Sequence, residues 1–179
     1  MASIFDVDNF MAKMDGQGSY IRKNRYTVEI VPPSNMHVPV NIEFLVKQVS
    51  FPSRTFGTTN FRYGGKYGME IPYETPPGEA VSITFLETGK FIARKFWHHW
   101  IELIQSTDTY NMQYYDKFKG SIKISAFRES ESEAVNPSHV VKLINAWPKS
   151  IGAIEMGWES NELMDFSVDI VYKKWEIVT

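Results

Sequence analysis

One segment of this chain carries a helical repeat wide enough to bury a face, and it stands among strands. From Lys90 to Gln105, Ile92, Phe96, Trp100 and Leu103 form one stripe, with Ala93, Trp97, Ile101 and Ile104 beside it. That spacing predicts an amphipathic helix whose broad apolar face packs on a sheet. Around it the period is two. Val81-Ser82-Ile83-Thr84-Phe85 alternates, Ser121 to Phe127 places Ile122, Ile124 and Ala126 on one face, and Phe166, Val168, Ile170 and Tyr172 oppose Ser167, Asp169 and Lys173 through the last predicted strand. Strict alternation marks a strand buried on one side. Tyr26 to Ile30 also alternates and ends at Pro32-Pro33. Further strands are expected at Asn41 to Val49 and at Val140 to Trp147, the latter stopped by Pro148. A short amphipathic helix is expected from Ile4 to Met14, where Val7 and Met11, and Phe10 and Met14, fall four apart.

About six to eight strands with one packed helix and no helices between them exclude a regular parallel α/β design. The pattern predicts a mainly β fold, an antiparallel sandwich or barrel, with one packed helix and a short N-terminal helix. No repeat or linker divides the 179 residues, so 1–179 is read as one domain.

The stretch from about 56 to 73 does not fit that body. Two β-prone arms, Thr58 to Tyr63 and Tyr67 to Tyr73, flank Gly64-Gly65. Gly-Gly suits a hairpin tip because both positions tolerate positive φ. The arms do not alternate cleanly in polarity, and a lone two-stranded ribbon is marginal in water. This hairpin is expected to complete its burial on something other than its own domain.

Reactive chemistry finds little support. The chain has no cysteine, which excludes disulfides, thiolate metal sites and a cysteine nucleophile. His98-His99 lie side by side on the helix, about 100° apart around its axis, and cannot face one ion as an i,i+4 pair would. Tyr63-Gly64-Gly65-Lys66-Tyr67-Gly68 lacks the spacing and the following helix of a phosphate loop. Glu129, Glu131 and Glu133 fall in an acidic, turn-rich insertion with no sign of the burial that catalytic carboxylates need. No enzyme activity, metal or cofactor is expected. The formal net charge of -2 does not suit a dedicated nucleic-acid binder, and Arg22-Lys23-Asn24-Arg25 reads as a solvated turn. Trp97, Trp100, Trp147, Trp158 and Trp175 could stack sugars on a β-sandwich, but most sit at apolar-periodic positions and read as core. No run of apolar residues is long enough to span a membrane, and Asp6 and Asp8 interrupt the start where a secretory signal would be unbroken. The protein is expected to remain where it is made, or to leave by lysis, without binding membrane.

The order of elements resembles the tail tube proteins of contractile-tailed bacteriophages, which are related to type VI secretion tubes. The resemblance rests on Leu143-Ile144-Asn145-Ala146-Trp147-Pro148-Lys149-Ser150-Ile151-Gly152, on Met156-Gly157-Trp158-Glu159-Ser160-Asn161-Glu162-Leu163, and on the alternating run from Phe166 to Trp175. It extends more weakly to the N-terminal helix, the first strand, the glycine-rich hairpin and Val81 to Gln105. Glu129 to Pro137 and Pro32 to Pro39 depart from the shorter members. The resemblance implies a subunit that closes hexameric rings, stacked around a lumen that conducts DNA. Implied partners are further copies of itself, a tail sheath outside, baseplate or tube-initiator and terminator proteins at the ends, and tape measure protein and DNA passing through the lumen. It places the protein in the virion tail, assembled in the host cytoplasm. A baseplate tube initiator that forms a single ring is the alternative, and a carbohydrate-binding β-sandwich module the remote one. On this view Phe5 and Phe10 of the helix, with Phe61, Arg62, Tyr63, Gly64, Gly65, Lys66 and Tyr67 of the hairpin, make subunit or ring contacts. Ser82, Thr84, Ser167 and Asp169, on polar strand faces, are expected to line the lumen.

Overall fold

The computed structural model describes residues 7–16, 21–62, 64–65, 67–76, 78–128, 137–159 and 161–178. In chain order these form α1 (Val7–Gly16), β1 (Tyr26–Val31), a 3-10 turn (Ile42–Leu45), β2 (Val46–Val49), β3 (Gly57–Phe61), β4 (Met69–Glu74), β5 (Val81–Leu86), α2 (Ile92–Ile104), α3 (Tyr115–Phe118), β6 (Gly120–Ala126), β7 (His139–Ile151), β8 (Asp165–Val171) and β9 (Lys174–Val178). The fold is mainly β and antiparallel throughout.

Two four-stranded sheets share one strand. The first runs β1-β6-β7-β9 and uses the N-terminal half of β7. The second runs β2-β5-β8-β7 and uses its C-terminal half. The change of sheet occurs at Asn145. Gly120 faces Ala146 and Ser121 faces Ile144, so Asn145 is an additional residue in β7. It takes φ 53, the left-handed conformation that a β-bulge of this kind requires and that asparagine tolerates better than most residues. A bulge bends its strand and increases local twist. That bend lets one strand serve both sheets.

The alternating positions fill the space between. Val28 and Ile30 of β1, Ile122 and Ile124 of β6, Ile83 and Phe85 of β5, and Val168 and Ile170 of β8 are buried in one core. Helix α2 closes it with Ala93, Phe96, Trp97, Trp100 and Ile104, while Ile92, Ile101 and Leu103 lie half-buried at the margin. The Trp97 and Trp100 rings stack 5.3 Å apart at an interplanar angle of 4°, and Trp97 meets Phe85 at 5.4 Å. The Trp100 Nε1–H donates to the Phe118 carbonyl at 2.8 Å, which ties α3 to α2. Glu87 accepts the backbone N–H of Arg94 at 3.0 Å and so supplies the acceptor that the first turn of α2 needs.

Three expectations are corrected. Asn41 to Val49 is not one strand. Asn41 turns into the left-handed region at φ 68, the chain makes a 3-10 turn that buries Ile42, and only Val46–Val49 pairs as β2. The strand from Val140 does not stop at Pro148. Pro148 faces Ile170 and Ser150 faces Asp169, so Lys149 is a second additional residue, and the proline's missing N–H falls at an irregularity on an edge. The run through Tyr172 is not the last strand either. β9 follows and adds to the first sheet beside β7. Nine strands are therefore present among the described residues.

Candidate functional site: an assembly interface

The hairpin forms as expected, though with a wider tip. β3 and β4 pair antiparallel from Phe61↔Met69 to Gly57↔Glu74, and they make a two-stranded sheet of their own. The connection from Phe61 to Met69 is longer than a two-residue turn, and Gly64 takes φ 60 within it. Every residue of β4 is exposed. Phe61, Met69, Ile71 and Tyr73 are all exposed along this ribbon. Arg62, Gly64, Gly65 and Tyr67 are exposed at the tip, Tyr67 at 90%. Tyr63 and Lys66 lie outside the described residues, as does Phe5. Phe10 is exposed on α1 beside Val7 and Met11. Apolar surface of this extent is the mark of an interaction site.

The four residues assigned to a lumen come together. Ser82 faces Asp169 and Thr84 faces Ser167 across the β5–β8 ladder. Their neighbours in sequence are fully buried, so this face is the one turned away from α2. Gln48 of β2 extends the row beside Thr84, and Ser150 of β7 donates to Asp169 Oδ2 at 2.8 Å. Asp165 shares this face and pairs with Lys47. The hydrogen bond to Asp165 leads the causes that hold the Lys47 ammonium above its ordinary pKa, with the carboxylate's charge adding to it. The result is a hydroxyl-rich face with a slight excess of carboxylate.

The second sheet is open at both sides. Among the described residues no strand pairs with the outer side of β2, or with β7 beyond Ala146 on the side away from β8. Unpaired edges invite pairing with another chain.

Little else is arranged for chemistry. Among the described residues no group of three or more His, Asp and Glu could hold a metal ion, and His98 and His99 point to solvent. The Arg25 guanidinium donates to the Arg128 carbonyl at 3.4 Å, consistent with a structural turn. The carboxylates of 129–136 lie outside the described residues. Of the tryptophans, Trp97 and Trp100 are fully buried, Trp147 and Trp175 are half-buried, and Trp158 is fully exposed. No helix among the described residues is long and apolar enough to cross a membrane.

Sequence reasoning passed over two surfaces at the ends of the second sheet. One is the turn at 152–164, where Met156, Trp158 and Leu163 are exposed among glutamates. The other is a cleft of about 530 Å³ lined by Arg54, Tyr172, Lys173 and Lys174. The available signals were a tryptophan in a turn between acids and a lysine pair directly after an alternating strand.

A family model described as phage tail tube protein matches residues 21–178. No curated protein matches by sequence. Solved structures are similar in fold. A chain of the PVC sheath-tube complex, from an extracellular contractile injection system, aligns with TM-score 0.62 at 15% identity, over 94% of this chain and 97% of that one. A chain of the anti-feeding prophage cap, a tube-terminating cap, aligns at TM-score 0.64 and 18% identity, over 89% and 91%. An Hcp protein aligns at TM-score 0.51 and 12% identity, over 85% and 91%.

Proposed function

This chain belongs to the phage tail tube protein family, and on that premise we propose that it is the structural subunit of the inner tube of a contractile phage tail. It acts by assembly and catalyses nothing. Copies close hexameric rings, and the rings stack around a DNA-conducting lumen. The observation that carries this reading is the second sheet. One of its faces is sealed by the core, the other is polar, and neither edge is paired among the described residues. Edge-to-edge pairing around a ring removes the open edges and turns the polar face inward. Hydroxyls and a few carboxylates suit a conduit, since they offer phosphate no strong attraction that would stall passage. The β3–β4 hairpin and α1 then gain cover from neighbouring copies.

The partners follow from position in such a tube: sheath protein on the outer surface, initiator and terminator proteins at the two ends, tape measure protein and DNA in the lumen. The tube is built in the host cytoplasm and resides in the virion tail. A single-ring role, as initiator or terminator, is the second reading. It is supported by a comparable similarity of fold to a chain of a tube-terminating cap.

Negative-stain microscopy of the purified protein tests the reading. Rings and hollow rods are expected of a tube subunit, single rings of an initiator, and a monomer at high concentration refutes both. Asp169→Lys should leave assembly intact and slow DNA passage, measured as ejection from reconstituted particles. Unchanged ejection removes Asp169 from the lumen.

A further inference from the structure

The two surfaces at the ends of the second sheet are complementary. The turn at 152–164 joins the end of β7 to the start of β8. Glu87 beyond β5 donates its N–H to Met164 of this turn at 2.9 Å, so the turn sits at the pole where β5 ends. It contains Glu155, Glu159 and Glu162 and no lysine or arginine of its own, while Arg94 donates to the Gly152 carbonyl at 3.3 Å and Lys47 lies near Glu162, which leaves Glu155 and Glu159 as the carboxylates it offers outward. Trp158 is more exposed than any other large apolar residue described, at 106%.

The cleft lies at the opposite pole, where β8 ends and β5 begins. β8 has seven residues, which separates the poles by roughly 20 Å at the rise of an antiparallel strand. Arg54, Lys173 and Lys174 stand against Glu176, which accepts from Lys174 at 2.6 Å, and Glu79, which accepts from Ser53 at 3.2 Å. Cations remain in excess. The Tyr172 hydroxyl in the wall is buried and has no hydrogen-bond partner among the described residues. The foot of the hairpin, at Thr55 and Thr75, forms one side of the same cleft.

We infer that the acidic turn tipped by Trp158 docks into the cationic cleft of a second copy. The inference rests on the ring reading above. If the edges of the second sheet pair around a ring, its strand ends face the rings above and below. The contact is then heterologous, with one pole of a copy against the other pole of the next. Such contacts do not close and generate a filament of fixed polarity. Trp158 supplies an aromatic anchor of the kind that dominates interfaces, and the opposed charges set the register and exclude stacking of like poles.

Two charge-reversed proteins test this. The turn variant is Glu155→Lys with Glu159→Lys, and the cleft variant is Arg54→Glu with Lys173→Glu. All four side chains are exposed. Each variant alone should form rings but lose tubes at least tenfold by sedimentation and microscopy. An equal mixture should recover tubes, because each variant's turn then matches the other's cleft. Tubes of wild-type yield from either variant alone, or a mixture that stays as rings, overturns the inference and leaves the ring reading standing. Absence of rings in the wild-type protein overturns both. Should a reversed protein fail to fold, Trp158→Ala decides. It is expected to form rings with tubes lost, and full-length tubes from it refute the docking.

Discussion

The bend at Asn145 offers the sharpest test of how this fold is built. Its φ of 53 is set by the bulge that carries β7 from one sheet to the other. Replacing asparagine with glycine relieves any Cβ penalty at this φ, at some cost in unfolded-state entropy, so Asn145→Gly should lie within about 0.5 kcal/mol of wild type. Valine is both β-branched and poorly suited to positive φ. The left-handed region costs an ordinary residue roughly 1–2 kcal/mol, and branching makes the position a true outlier. Asn145→Val should therefore lose about 1–2 kcal/mol, or roughly 2–8 °C in Tm for a chain of this size. The Tyr115 hydroxyl donates to the Asn145 main-chain carbonyl at 2.9 Å, a bond available to both variants, so the comparison isolates the backbone. Urea unfolding at one fixed protein concentration reads the difference, which keeps mass action from assembly constant. Asn145→Val should also form fewer rings, because the C-terminal half of β7 is one edge of the second sheet. Equal stability of the valine and glycine variants would falsify the claim that this bend is conformationally demanding.

Other perturbations follow from the core and the edge. A Cβ on Gly120 would stand 2.5 Å from the Val31 carbonyl oxygen and 2.7 Å from the Trp100 ring, both fixed, so Gly120→Ala should cost about 1–3 kcal/mol by chemical denaturation. Trp100→Phe removes a buried donor from the Phe118 carbonyl, whereas Trp97→Phe removes an Nε1–H that has no partner among the described residues. The first variant should be the less stable by about 1 kcal/mol, and equal midpoints would contradict the assignment. The Lys47–Asp165 pair should show in alkali. Because the folded ammonium's pKa is raised above the ordinary 10.5, its contribution is complete below that value and fades as pH rises through the elevated one. The denaturation midpoints of wild type and Lys47→Met should accordingly converge at high pH, and a constant gap would refute the linkage.

What the sequence revealed depended on whether local period and tertiary role agreed. β5, β6 and β8 bury one face each, so Val81, Ile122, Phe166 and their partners announced themselves by alternation. Helix α2 was legible because Phe96, Trp97 and Trp100 sit on one broad stripe. β7 was only half legible. Pro148 has the local meaning of a stop, and its tolerance depends on Lys149 being an additional residue opposite β8. No local pattern carries that information, since it is a property of the pairing. β9 was missed for a related reason. Its exposed Ile177 and Val178 and flanking charges give it no strong period, and it is held by the ladder to Val140–Ile144. The same division holds for the candidate surfaces. The hairpin was visible because its arms are apolar without an evident partner. The cross-strand matching of Ser82 to Asp169 and Thr84 to Ser167 required the register. The poles required the topology, because Arg54 and Lys173 are far apart in sequence and share a cleft only when β2 and β8 lie in one sheet on either side of β5. A self-assembling chain encodes its core in local period, where each residue faces the same interior. It encodes its contacts in pairs brought together by register, and a charge on one pole has meaning only with its opposite on the other.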